Sequence, residues 1–256
     1  MSELRIIARH AGTVLVGQLA VMSFGIADTL IAGRFSPQAL AVLALASSIY
    51  ISIYVALNGL MQALLPVWSE LRGAGDHKAL GRSVRQALYL CAFVSLVGTL
   101  ALCYPDPWLE YTQVPPELQA DVRAYLQILA AAVGPSLLFR MYATLNQSLG
   151  KPMWVTGLQI AALGLKIPLS IALTLGFWDI PAQGVVGCAW ATLIVNVWLM
   201  CMGIFYLRHL SLIESSLLNR LSPSLVGISA TASSVVCLVH ILCGCGLPLA
   251  NKKGLP

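Results

Sequence analysis

The chain has 256 residues, 58% apolar and only 10% charged, where an ordinary globular domain carries about 25% charged residues. So few charges cannot clothe a water-soluble core, and the mean hydropathy of +0.82 agrees, so the sequence reads as an all-α polytopic membrane protein. The net charge of +5 gathers mostly on one side of the bilayer, which makes it a topology signal and not a nucleic-acid footprint.

A bilayer core of about 30 Å needs roughly 20 mainly apolar residues per helix. Six stretches qualify in chain order: about 10–32, 40–66, 84–104, 122–146, 153–176 and 184–207. Loop chemistry separates them: Gly33-Arg34-Phe35-Ser36-Pro37, Gly73-Ala74-Gly75-Asp76, Pro105-Asp106-Pro107, Gly150-Lys151-Pro152, and Pro181 ahead of Gly184. The apolar runs are too long for strands and lack a period of two. The first stretch follows basic residues, but it is too long for a signal peptide and no small-residue cleavage site follows it, so it reads as the first span.

Lysine and arginine set the orientation. Arg5, Arg9, Arg72, Lys78, Arg82, Arg85, Lys151 and Arg208 fall on one side; Arg34 and Arg123 fall on the other, beside an acidic loop with Asp106, Glu110, Glu117 and Asp121. That asymmetry places the N-terminus and the end of the sixth span in the cytoplasm. Tyr104, Trp108, Tyr111 and Trp178 suit an outer interface belt, and Trp68, Trp154 and Tyr206 an inner one.

Ionisable side chains within the spans each need an explanation, because insertion into lipid costs about 2.5–3.5 kcal/mol apiece. Asp28 stands six residues before Arg34, roughly 9 Å below the outer end of its helix. Lys166 stands ten residues before Gly176, about 15 Å below the same surface. A lysine stem spans much of the difference, so the depths permit a pair across one cavity, in which Asp28 can exchange between proton-bound, ion-paired and substrate-paired states. The plainer alternatives are Asp28 at the outer interface and Lys166 reaching water through a structural cavity. Arg140, near the inner end of the fourth span, reads as a snorkelling side chain. Gln18, Gly25, Asp28 and Thr29 share one broad half of the first helix, as a cavity-facing surface would. Pro168 removes an amide donor two residues after Lys166 and is positioned to bend the fifth span there. Ser170 and Asn196 complete the cavity-lining candidates.

Enzyme constellations are missing: there is no Gly-x-Ser-x-Gly, no His-Glu-x-x-His, no phosphate-binding Gly-x-x-x-x-Gly-Lys and no pair of cysteines at zinc spacing. The seven cysteines mostly sit in apolar runs and read as small hydrophobes. Neither a catalytic residue, a metal site nor an organic cofactor is expected.

Ala27-Asp28-Thr29-Leu30-Ile31-Ala32-Gly33 followed by Ala39-Leu40-Ala41 resembles the multidrug and toxic compound extrusion (MATE) transporters of the NorM type. Three further stretches match in order: Pro66-Val67-Trp68-Ser69-Glu70-Leu71-Arg72-Gly73-Ala74-Gly75, Phe139-Arg140 through Leu149-Gly150-Lys151-Pro152, and Gly184-Val185-Val186-Gly187-Cys188-Ala189-Trp190-Ala191-Thr192. The resemblance covers about residues 1–209. It implies a multidrug efflux antiporter that exports cationic amphipathic compounds by alternating access, coupled to H+ or Na+ entry. It also implies that Asp28 is the coupling-ion and proton site of the N-terminal lobe. Where many NorM-type relatives carry asparagines in the fifth helix, this chain has Lys166 and Ser170. The expectation is that the Lys166 ammonium partly replaces a bound sodium and favours proton coupling.

Such transporters carry two six-helix bundles, and the likeness stops after one. Residues 1–209 read as a six-helix MATE lobe and 210–256 as a divergent tail, serine-rich and holding Cys237, Cys243 and Cys245. Residues 225–242 are marginally long enough to span, but a span there would put Lys252 and Lys253 outside, against the charge rule. A truncated or frame-shifted product is the expectation. Small-molecule cations, the lipid bilayer and a second lobe or a second copy are the expected partners, and nucleic acid is not. Two readings compete with efflux: a lipid-linked sugar flippase of the same superfamily, which calls for a more cationic cavity, and a non-transporting membrane protein.

Overall fold

The computed structural model describes residues 2–112, 114–176 and 182–213. Among these there are eight helices and no strand: α1 (Ser2–Phe35), α2 (Pro37–Gln62), α3 (Leu64–Gly73), α4 (His77–Cys103), α5 (Asp106–Tyr111), α6 (Pro116–Ser148), α7 (Pro152–Leu175) and α8 (Val185–Ile213). Six spans are long and apolar enough to cross a membrane, with α2 and α3 together making the second. The expected positions of Trp178, of the cysteine-bearing tail and of a span at 225–242 lie outside the described residues.

Local chemistry sets the helix boundaries. Ser36 caps α2 by accepting the Ala39 amide at 3.0 Å, and Pro37 opens the helix where no amide donor is needed. Asp76 caps α4 by accepting the Ala79 amide at 2.9 Å. The turn before it passes through Gly75 at φ 71°, a conformation that favours glycine. Pro116 and Pro152 sit in the first turns of α6 and α7. The second expected span, placed at 40–66, is interrupted at Ala63 and then continues to Gly73. Pro66 has no amide to give the Gln62 carbonyl, so the backbone reorganises in the preceding turn. The Pro105-Asp106-Pro107 segment, read from the sequence as loop, begins a helix. α5 folds back so that the Trp108 indole donates to the Ala101 carbonyl at 3.2 Å, Leu109 is buried, and Asp106 pairs with Arg123.

α6 is the centre of the bundle. Its span is the least apolar of the six and the most enclosed, packed chiefly against α8, α4 and α2. Its buried polar side chains mostly satisfy themselves locally: Ser136, Thr144, Asn146 and Ser148 each donate to a carbonyl three or four residues back. α1 packs mainly against α7, and α7 against α8. At the α7–α8 crossing Gly187 lies against backbone, where an added Cβ would come within 2.5 Å of the Leu173 carbonyl. One end of the bundle gathers the α3–α4 and α6–α7 connections, and there Arg72 donates to the Ser148 carbonyl at 2.9 Å, across the C-terminal end of α6. Thr156, at the start of α7, donates to the Thr13 carbonyl of α1 at the same end. At the opposite end Gly184, just ahead of α8, stands against the Phe35 ring.

Candidate functional site

α1 turns a narrow buried stripe towards its neighbours: Gly17, Ala20, Asp28, Ile31 and Ala32 are all enclosed. Small residues at 17 and 20 bring α7 close, and Asp28 follows on the same stripe. On α7 the enclosed positions are Val155, Thr156, Gln159, Ala162, Lys166, Ser170 and Thr174, spaced by one, three or four residues. That is a helical stripe carrying five polar groups where lipid contact would call for aliphatic ones. The helix continues through Pro168 to Leu175. On α8, Cys188, Thr192 and Asn196 follow at intervals of four and complete a three-helix seam.

Within this seam the two expected charges meet. Lys166 Nζ lies 2.8 Å from Asp28 Oδ2, with Lys166 2% and Asp28 6% exposed. Ser170 donates to the other carboxylate oxygen of Asp28 at 3.2 Å. The Lys166 ammonium also donates to Thr192 Oγ1 at 2.9 Å and stands 5.1 Å above the centroid of the Phe24 ring, within cation–π range. Thr192 is free to accept because its own hydrogen goes to the Cys188 carbonyl at 2.9 Å. The carboxylate therefore has a partner on each oxygen, and the ammonium has two oxygen acceptors and a ring face beside it.

The attraction between unit charges at this separation is on the order of 6 kcal/mol at an effective dielectric of about 20. Stripping water from both ions costs several kcal/mol each, so the pair is close to balanced. It adds little net stability, but breaking it from one side is expensive. A near-balanced pair is suited to exchanging one partner for another.

The remaining expected residues are more dispersed. Asn196 is half-buried one turn below Thr192 and donates to its carbonyl at 3.0 Å. Gln18 is half-buried on α1, three turns below Asp28. Thr29 and Gly25 lie on the exposed side of α1, where the Thr29 hydroxyl donates to the Gly25 carbonyl at 2.8 Å. Arg140 is buried within α6. Of the cysteines, Cys91 and Cys188 are buried and Cys201 is exposed.

Sequence reasoning missed Thr192, Phe24 and Tyr125 as members of the site. Tyr125, on α6, is buried within electrostatic reach of Asp28 and Cys188. Phe24 precedes Asp28 by one helical turn, and Thr192 precedes the nominated Asn196 by one turn. That i, i+4 spacing was the available signal.

Charged and hydroxyl side chains laced together inside a bundle of membrane-length helices define the class, a multi-pass membrane protein of transporter type. The MatE family model matches residues 14–172, and the chain belongs to the MATE family of multidrug-resistance transporters. A probable multidrug resistance protein NorM of Aromatoleum aromaticum is 36% identical over 200 residues, covering 78% of this chain and 43% of the relative. The multidrug resistance protein PmpM of Pseudomonas aeruginosa is 32% identical over 217 residues, covering 84% of this chain and 45% of the relative. The chain thus spans less than half the length of these curated relatives. Among solved structures, the MATE transporter VcmN of Vibrio cholerae in its bent form superposes with a TM-score of 0.73 at 18% identity, over 94% of this chain and 57% of that one. An outward-facing MATE transporter superposes at 0.70 with 21% identity, over 79% and 44%. Both share the fold of the described helices.

Proposed function

We propose that this chain acts as the N-terminal lobe of a multidrug efflux antiporter, exporting cationic amphipathic compounds in exchange for H+ or Na+ entry. The observation that carries this reading is the enclosed Asp28–Lys166 pair between α1, α7 and α8. An ionisable pair at membrane depth is costly and is a mark of ion or substrate pathways. Its oxygens and ammonium have alternative partners within reach in Ser170, Thr192 and Phe24. Asp28 is the coupling residue in this reading, Lys166 its counter-ion, and Gln18, Thr29, Ser170 and Asn196 contribute to the cavity walls. The chain works as a transporter and not as an enzyme, in a bacterial-type inner membrane with its N-terminus in the cytoplasm, paired with a second lobe that completes the cleft.

The test is accumulation of ethidium, a cationic dye, in cells expressing the chain. The expected result is lower accumulation than in empty cells, restored to the empty-cell level by Asp28→Asn. Equal accumulation with the chain, with the variant and in empty cells would favour a non-transporting membrane protein.

A further inference from the structure

We propose that Lys166 is a tethered cation that fills the cation position beside Asp28, so that this lobe exchanges a proton there and binds no monovalent metal ion. The inference deepens the reading of Asp28 as the coupling residue and rests on it. The position next to the carboxylate is walled by hard oxygen donors and a ring face: Asp28 Oδ2 at 2.8 Å, Thr192 Oγ1 at 2.9 Å and the Phe24 ring at 5.1 Å. These are groups that would suit a small monovalent cation, and the ammonium already engages all of them. A sodium ion would have to displace a charge held by its own backbone, whose local concentration does not fall when bulk conditions change. Were the ammonium to stay nearby, the two positive charges would share one enclosed hollow.

A proton faces neither obstacle. It needs no added volume, and it forms an O–H bond on Asp28 while the ion pair is lost, taking the pair from net zero to one positive charge. The ammonium is not stranded by that step, because Thr192 and Phe24 remain as its partners. The titratable or charged groups facing Asp28 from the packed helices are Lys166 on α7, Cys188 on α8 and Tyr125 on α6. Lysine is therefore the one permanently cationic group at ordinary pH among the described neighbours.

Side-chain volume makes the inference testable. Lys166→Ala opens the cation position, whereas Lys166→Met fills it with an apolar stem. The experiment measures radioactive sodium binding to the full chain in lipid nanodiscs, and the thermal unfolding temperature in sodium chloride against choline chloride. The wild type is expected to bind no sodium through Asp28 and to unfold at the same temperature in both salts. Lys166→Ala is expected to gain about one sodium per chain and to unfold at a higher temperature in sodium, because a ligand bound to the folded state stabilises it. Lys166→Met, and Lys166→Ala combined with Asp28→Asn, are expected to gain neither. Asp28-dependent sodium binding by the wild type, or a folded Lys166→Ala chain that gains none, would overturn the proposal. Should Lys166→Ala fail to fold, the wild-type measurement decides alone. The readout is binding, not transport, so a failed dye assay leaves it intact.

Discussion

At the scale of single residues, the consequences follow from how fully Asp28 and Lys166 depend on one another. Lys166→Met leaves a carboxylate enclosed without its counter-charge, which costs about 3–5 kcal/mol. Lys166→Met combined with Asp28→Asn removes both charges and is expected to recover most of that loss. Thermal unfolding of the purified variants in one detergent checks this, and equal losses in the single and double variants would show the charges to be uncoupled. Ser170→Ala removes one hydroxyl donor to the carboxylate at 3.2 Å and is expected to cost about 1.5–3 kcal/mol, less than the loss of the ammonium. The presence of the pair was legible in the sequence from two depths along two helices. Its remaining partners were not, because Thr192 and Phe24 join the site only through the rotation of α8 and α1 about their own axes. Packing decides that rotation, and helix length carries no information about it.

At the scale of the helices, glycine positions separate close crossings from open faces. Gly187→Val puts a branched side chain against the α7 backbone, where a Cβ alone would stand 2.5 Å from the Leu173 carbonyl. Backbone cannot rotate away as a side chain can, so the helices must part, at a cost of about 1–3 kcal/mol or more. Gly157→Ala and Gly164→Ala on α7 meet nothing within 4 Å and are expected to unfold at or above the wild-type temperature, since alanine favours helix. The same melting assay ranks the three. The long helices were legible because apolar length is a direct demand of the bilayer. The break at Ala63 and the short α5 were less so. Proline and aspartate mark both a turn and a helix start, and docking of Trp108 and Leu109 decides between them at α5.

For the molecule as a whole, topology can be tested from its charge distribution. Lys78 and Glu117 are both exposed, at connections expected on opposite sides of the membrane. With an impermeant maleimide, Glu117→Cys is expected to gain labelling over the wild-type background in intact cells, and Lys78→Cys only after the cells are opened. The reverse pattern would invert the proposed orientation. Lysine and arginine group the α3–α4 and α6–α7 connections together, and the contacts of Arg72 with Ser148 and of Thr156 with Thr13 gather them with the early part of α1 at one end. The enclosure of α6 was not readable. Its span is apolar enough to pass as one that faces lipid, yet three other spans surround it.

That enclosure imposes an order on biogenesis. α6 leaves the ribosome after α2 and α4 but before α8, the neighbour against which it packs most extensively. Until α8 arrives, the flank of α6 bearing Leu138, Phe139, Met141 and Tyr142, which Met200, Gly203 and Ile204 of α8 later face, stands open to lipid or to an insertion chaperone. Nascent chains halted before Val185 should therefore remain sensitive to protease, and those extended past Ile213 should resist it, so that synthesis of α8 closes this part of the bundle.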